Sequence, residues 1–522
     1  MLTDGAFIYF GEGAGHETAI GSVSVHGGEP LMIQTPVRIK DLTDMNPKRS
    51  ELLVIGSRQG TMESKPWAIA LPSGSAGLEA DLDVDAACWS PDGGRTAYFR
   101  GTDLYVSDRD GKNLMKIATL RGTVGGIRWS PDGKVLRFVV NESRARSRGL
   151  WEIETDGKHL HPLLDGWQSP SDEYHGTWTA NGAWFVGSVA GRDGRKGLWA
   201  IGGKAGSFKM ADRRPVQLTH GPMGFSHPAA SRDGKKLFAV GEQEHGELVR
   251  YDSARREFVS FLGGIWADSV SFSKDGRWVA YRTLPERVLW RAKADGTQKV
   301  QLTFPPSEAD PESWSPDGKR IAVRLKKPGK PFKVYLIAAE GGELDELLPE
   351  DPQEEGIPTW SADGKRLAFG EVAALFGRGT GKEMVHICDL DNRRVSVLPG
   401  SEGLWTSRWS PDGRFISAVT ADQRQRLMLF DIAKRRWRDL GAEHVANPTW
   451  SHDSKYIYYD VNKGAPVIVR VRASDGRREQ VVSLDGFNRS ANWWSGLAPD
   501  DSPLVVQDVG IQEIYALNVE WP

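Results

Sequence analysis

A five-residue phrase that returns along the chain constrains its fold more than any other feature. Trp89-Ser90-Pro91-Asp92-Gly93 recurs as Trp129-Ser130-Pro131-Asp132-Gly133, Trp314-Ser315-Pro316-Asp317-Gly318 and Trp409-Ser410-Pro411-Asp412-Gly413. Looser copies fill the intervals: Thr179-Ala180-Asn181-Gly182, Ser231-Arg232-Asp233-Gly234, Ser273-Lys274-Asp275-Gly276, Ser361-Ala362-Asp363-Gly364 and Ser451-His452-Asp453-Ser454. The copies lie roughly 40 to 50 residues apart, the period of supersecondary units that stack or close into rings.

Each phrase reads as a hairpin corner. Pro presets φ for the first central position of a type I turn, Asp tolerates the second, and Gly takes the left-handed conformation that lets the next strand leave in register. Asp92, Gly93, Asp132, Gly133, Asp317, Gly318, Asp412 and Gly413 are therefore structural turn residues. Trp89, Trp129, Trp178, Trp314, Trp360, Trp409 and Trp450 hold equivalent positions before the corners. They are read as blade-packing residues rather than a binding platform. In the unit spanning 311–359, a short strand ends at Trp314, Lys319 to Arg324 alternates as a second strand, Lys333 to Ala338 makes a third, and a fourth ends near Leu347-Leu348. Four antiparallel strands, repeated, make a propeller blade.

Twelve units are counted. The first opens inside a turn at Thr3-Asp4-Gly5 and so lacks its inner strand, and the last carries the longer corner 495–501. Rings hold about four to eight blades, so the fold class is all-β, with tandem β-propellers of six plus six blades. The dividing line falls near Gly263-Gly264, giving propellers at 1–262 and 263–522. The incomplete end units want strands from elsewhere, so at least one ring closes by pairing strands distant in sequence.

The composition of 522 residues, with 59 Gly and 29 Pro, suits a turn-rich β protein. No stretch approaches the ~18 to 20 apolar residues of a membrane span, and the first residues lack the basic and apolar regions of a secretory signal. A net charge of −2 gives no basic footprint for nucleic acid. Cys88 and Cys388 lie far apart and are read as two buried, unpaired thiols.

With the strand ending in Trp-Ser, the Pro-Asp-Gly corner and the Lys/Arg-led strand that follows, the units resemble the TolB-type, WD-like β-propeller repeat. Proteins with such repeats include periplasmic binding proteins, gating propellers of prolyl-oligopeptidase-type proteases, sensory halves of bacterial winged-helix transcription regulators and some membrane-bound kinases. The segment 494–503, followed by Gln512-Glu513-Ile514-Tyr515-Ala516-Leu517, resembles the C-terminal signature of the winged-helix regulators. Thr3 to Phe10 and Gly27-Gly28-Glu29-Pro30 resemble the first blade of the same region. The resemblance implies a sensory region separated from its output domain, since no winged helix, membrane segment or kinase motif stands ahead of it. It implies a periplasmic location if the parent regulator is membrane-bound; the chain itself specifies no compartment.

Motifs for chemistry are sparse. No Gly-x-Ser-x-Gly elbow occurs, and His16-Glu17 lacks the second His of a zincin. Gly377 to Lys382 lacks the spacing and the Ser/Thr of a phosphate loop and reads as a flexible connection. His159-Leu160-His161 is at most half a metal site, on an outermost strand where polar groups face water. The loop arginines Arg144, Arg146 and Arg148 have no interleaved aromatics and do not mark nucleic acid. No catalytic residue, metal or cofactor is expected.

Varied loops on a rigid scaffold are where ligands bind. Here they sit on the ring face opposite the corners. In the first propeller that face gathers Trp167, Asp172, Tyr174, His175, Phe225 and His227, with Arg192 and Arg195. In the second it gathers Trp266, Asp268, Glu308, Asp310, Trp405 and Arg408, with Glu443, His444, Phe487 and Arg489. Aromatics mixed with charges suit a peptide, protein or glycan ligand. The expected function is a non-catalytic binding or sensory module. The alternatives are a propeller enzyme acting on a polysaccharide, as lyase or glycosidase, and an envelope-complex scaffold of TolB type.

Overall fold

The structure, a computed structural model, describes residues 1–13, 18–46, 48–58, 63–142, 147–164, 172–191, 195–202, 215–370, 383–461 and 466–522, with backbone alone at 142, 147–148, 172–175, 311–312 and 491–493. Every regular element among them is a β-strand.

The chain forms two compact units, Met1–Gln243 with Ile511–Pro522, and Glu244–Gly510. Each is a ring of six antiparallel sheets. Each inner strand packs beside the inner strands of its two neighbours, which closes the ring. Two blades of the first unit are also linked by a single parallel pairing between Arg148 and Asp172.

The division differs from contiguous halves split at 262/263. Gly246–Asp252 and Glu257–Ser260 belong to the second unit, and Ile511–Asn518 returns to the first. The cause is strand pairing. Lys236–Gln243 has an open edge, and Ile511–Asn518 fills it along its full length, from Lys236 opposite Asn518 to Gln243 opposite Ile511. In the second unit, Pro503–Asp508 pairs with Gly246–Asp252, so its closing blade joins the two ends of the unit. The expected closure by strands distant in sequence occurs in both rings. The first blade departs from expectation too: Leu2–Thr3 forms a two-residue inner strand against Tyr9 and Ile8.

The blade starting at Glu308–Trp314 shows why the repeated residues recur. Gly318 donates its N–H to the Ser315 carbonyl at 2.9 Å and sits at φ +69°, where a Cβ is strained. Ser315 Oγ donates to Asp317 Oδ1 at 2.6 Å and accepts the Arg320 N–H at 2.9 Å. Asp317 Oδ1 also accepts the Lys319 N–H at 3.0 Å. Side chains thus satisfy the backbone donors that a tight turn leaves open. The Ser–Asp bond repeats at Ser90–Asp92, Ser130–Asp132 and Ser410–Asp412.

The core lies between blades. Ala309, Trp314, Ile321, Val323 and Tyr335 of this blade pack on Ala280, Leu289 and Leu302 of the preceding one. The pre-corner tryptophans are only 4 to 8% exposed, which removes them as a ligand platform. Their indoles also bond across blades: Trp314 Nε1 donates to the Ser271 carbonyl at 3.1 Å, Trp360 to Ser313 at 3.0 Å and Trp450 to Arg408 at 3.0 Å. Cys88 and Cys388 are both buried and free.

Candidate functional site

The inner strands are bent at one position. Their pairing slips between Gly125 and Arg128, Glu173 and Gly176, Ser226 and Ala229, Asp268 and Ser271, Trp405 and Arg408, and Ala446 and Thr449. The bulge takes positive φ at His227 (51°), Ser269 (52°), Thr406 (48°) and Asn447 (47°). Bulges re-aim side chains and are common beside binding sites; among the described residues, six of the twelve inner strands carry this one.

In the second unit a groove of about 550 Å³ runs between residues 441–444 and the sheet that carries the Ser451–Ser454 corner. Glu443, His444, Tyr459, Arg478, Glu479 and Gln480 line it. Two of these, Glu443 and His444, were expected on the loop face; the rest come from strands. His444 holds φ +56° and donates its N–H to the Arg424 carbonyl at 2.7 Å, so its half-buried ring is set by a strained backbone. Burial raises the Tyr459 phenol, against a hydrogen bond from Arg478. Glu479 Oε2 accepts from Arg470 Nη2 at 2.8 Å and Nε at 3.0 Å.

On inner strands of the same ring, Asp268 and Asp310 are tied into a chain of charges. Arg282 Nη2 bonds Asp268 Oδ2 at 2.6 Å, and its Nη1 reaches Asp310 Oδ1 at 2.7 Å in the next blade. Asp310 also pairs with Arg324, which reaches Glu354 Oε1 at 2.6 Å and the Glu355 carbonyl at 2.8 Å. Asp310 therefore staples two blades, and Asp268 fixes the Arg282 that reaches it. Glu308 lies 3.6 Å from Arg287 across an exposed pair.

The remaining expected residues scatter. Trp266 packs edge-on against His245 with ring centroids 5.7 Å apart, and Trp405 packs against the cluster around Val419 and Leu427. Both indole N–H groups are buried and carry no hydrogen bond among the described residues. Phe487 packs against Phe258 with the rings tilted and their centroids 4.5 Å apart. Arg489 is exposed and opposes Asp460. Burial raises the Asp460 carboxyl, against a 3.1 Å hydrogen bond from Asn447 Nδ2 and the Arg489 charge. Arg408 is not on the loop face. It lies in the inner strand Leu404–Trp409, two residues before the corner serine.

In the first unit a small cavity of about 70 Å³ is lined by Asp41, Thr43, Arg128, Gly176 and His227, among others. Arg128 reaches from the fourth blade to the Thr43 carbonyl of the second at 2.7 Å. His227 is exposed on its bulge, with Nδ1 3.0 Å from Ser226 Oγ. Phe225 is buried against Tyr515. Arg195 Nη1 contacts the Pro222 carbonyl at 3.4 Å. Trp167, Arg144, Arg146, Arg192, His16, Glu17 and the loop 377–382 lie outside the described residues, as do the side chains of Asp172, Tyr174, His175 and Arg148. His159 pairs with Glu154 at 3.0 Å, and His161 Nδ1 contacts the His159 carbonyl at 2.7 Å, so the two imidazoles have separate local partners. Sequence reasoning missed Tyr459, Arg478 and Asp460 because strand interiors were set aside as scaffold. Their polar identity inside apolar strands was the available signal.

Fold and site together define a tandem six-bladed β-propeller with a polar groove and a chain of ion pairs between blades in its second ring. Residues 303–498, inside that ring, match the family described as the TolB beta propeller domain, so this propeller is TolB-like. A comparison with curated proteins returns no match. Among solved structures, a protein of Agrobacterium tumefaciens provisionally described as TolB is 16% identical, with TM-score 0.42, covering 51% of this chain and 99% of that one. The tricorn protease is 10% identical, with TM-score 0.38, covering 96% of this chain and 58% of that one. A GH74 enzyme of Niastella koreensis is 10% identical, with TM-score 0.39, covering 96% of this chain and 89% of that one. At these identities and TM-scores the likenesses carry no functional argument.

Proposed function

We propose that the chain acts by binding rather than catalysis, and that its second propeller takes a polar peptide or protein segment in the groove lined by Glu443 and His444. The observation that carries this reading is the groove itself. Its wall includes Arg478, Glu479 and Gln480 of the strand Arg478–Ser483, outermost in its sheet among the described residues, whose outer edge offers main-chain hydrogen bonds to an extended segment. Its polar side chains are two carboxylates, an imidazole, a guanidinium, an amide and a phenol, beside two valines. The one aromatic ring, Tyr459, is buried, so the lining suits the polar groups of a peptide better than a stacked sugar ring. In this reading the propellers are the sensory part of a regulatory protein, working in the periplasm where that protein is membrane-bound.

A random peptide library displayed on phage and panned against the full chain tests the reading. Selected peptides are expected to lose at least tenfold in affinity for a Glu443→Gln, His444→Asn double variant. Asn tolerates the left-handed backbone at 444, so the melting temperature should hold. A library that enriches nothing, or peptides that bind the variant equally well, would count against the groove.

A further inference from the structure

The inner strands of the second propeller can be read in register from their corners. Two residues before each corner serine (Ala498 in the last corner) stand Ser271, Ser313, Thr359, Arg408, Thr449 and Gly496. Side chains at this level reach the next inner strand around the axis. Ser313 Oγ donates to the Pro358 carbonyl at 2.9 Å, and Thr359 Oγ1 accepts the Trp409 N–H at 3.1 Å. The level therefore forms a ring of hydroxyls and glycine with one guanidinium, and it contains no acid.

The first propeller shows what a balanced version looks like. Arg128 stands at the same level there, and Asp44, two residues before the corner Asn46, stands with it. Asp44 accepts the Trp89 N–H at 2.8 Å, and its carboxyl, raised by burial, is opposed by the Arg128 charge. Arg408 has no such neighbour. Its described hydrogen bond is to the Ser407 carbonyl at 3.1 Å, and among the described residues no carboxylate forms an ion pair with it. Burial alone pushes it down to about 10, although by surface area it is only half-buried. The guanidinium is thus desolvated yet keeps some access to solvent.

A guanidinium held in protein surroundings without a counter-charge is unfavourable, and its planar fork matches a carboxylate in two parallel bonds. Thr359 Oγ1 accepts from Trp409 and retains its own proton to donate. We propose that the axial channel of the second propeller binds a carboxylate, held by Arg408 with the Thr359 hydroxyl as a second donor. The site is separate from the groove and does not depend on it. The carboxylate is either a small free anion or the side chain of an acidic residue on an entering peptide.

Calorimetric titration of the full chain at fixed ionic strength tests this with two probes: sodium acetate, and the capped tripeptide acetyl-Gly-Glu-Gly-amide, with its Gln counterpart as blank. Binding of acetate assigns the site to free anions as well; binding of the Glu peptide alone assigns it to peptide-borne carboxylates. In either case Arg408→Gln is expected to weaken binding at least tenfold and Arg408→Lys to weaken it less. The Glu443→Gln, His444→Asn variant should bind as the wild type does, which separates this site from the groove. Without ligand, Arg408→Gln should melt no lower than wild type, because it removes a charge that lacks a partner. Wild-type protein that binds neither probe overturns the proposal, as does binding that Arg408→Gln retains. If Arg408→Gln does not fold, Arg408→Lys supplies the comparison, and its binding the probes as tightly as wild type would likewise overturn the assignment.

Discussion

At the scale of single residues, the corner carboxylates carry a pH dependence with a definite sign. Asp92, Asp233, Asp275, Asp317 and Asp363 are held below the usual carboxylate range, first by the hydroxyl of the serine two residues earlier and next by a backbone N–H. For Asp275 the value falls to about 2. A carboxyl depressed in the folded state stabilises the fold above its unfolded pKa of about 3.9 and loses that contribution as pH falls through the folded value. Asp44, Glu79, Glu355 and Asp460 shift upward by burial and so oppose the trend, but the corners outnumber them. The melting temperature should therefore fall as pH drops from about 4 to about 2, with a shallower fall in a Ser273→Ala, Ser315→Ala variant. A melting temperature that is flat over that range, or the same slope in the variant, would contradict the assigned role. The corner residues were legible in the sequence because their chemistry is local. Arg408 was recognised as a candidate but assigned to a loop, because its true place depends on the strand alternation and the bulge beside it.

At the scale of elements, blades are joined by indole bonds as well as apolar packing. Trp360 donates to the Ser313 carbonyl from a nearly buried position. Trp360→Phe keeps most of the apolar area and leaves that carbonyl short of a partner, at a cost of about 1–3 kcal/mol. Trp437, whose indole bonds the Pro399 carbonyl in an exposed setting, is the control, and Trp437→Phe should cost less. Thermal or urea unfolding of the two variants distinguishes them, and equal losses would mean the cross-blade bond adds little. The tryptophans announced their packing role by position. The inner-strand bulge did not, because Gly126, His227, Ser269, Thr406 and Asn447 occupy it with five different side chains. What they share is a backbone conformation imposed by the ring.

At the scale of the whole molecule, the two rings differ in how the chain completes them. The second, Glu244–Gly510, is continuous, whereas the first needs Ile511–Pro522 to fill the edge of Lys236–Gln243. A fragment spanning 244–510 should fold and melt cooperatively alone. A fragment spanning 1–243 should not, unless residues 511–522 are restored, for example by fusion through a flexible linker. Circular dichroism melts of the three fragments check this, and a stable 1–243 fragment would show that the closing strand is dispensable.

The sequence by itself determined the corner, the four-stranded blade, the number of blades and the role of the pre-corner tryptophans, all of which arise from interactions within one repeat or between identical repeats. Only the tertiary structure decided which strand completes which blade. That choice rests on backbone hydrogen bonds, which nearly any strand sequence can make, so the partner follows from where the ring leaves an open edge. The same holds for the groove and the channel. Glu443 shares a groove with Gln480, and Arg408 lies level with Thr359 and Thr449, through placements in space that the order of residues along the chain does not reveal.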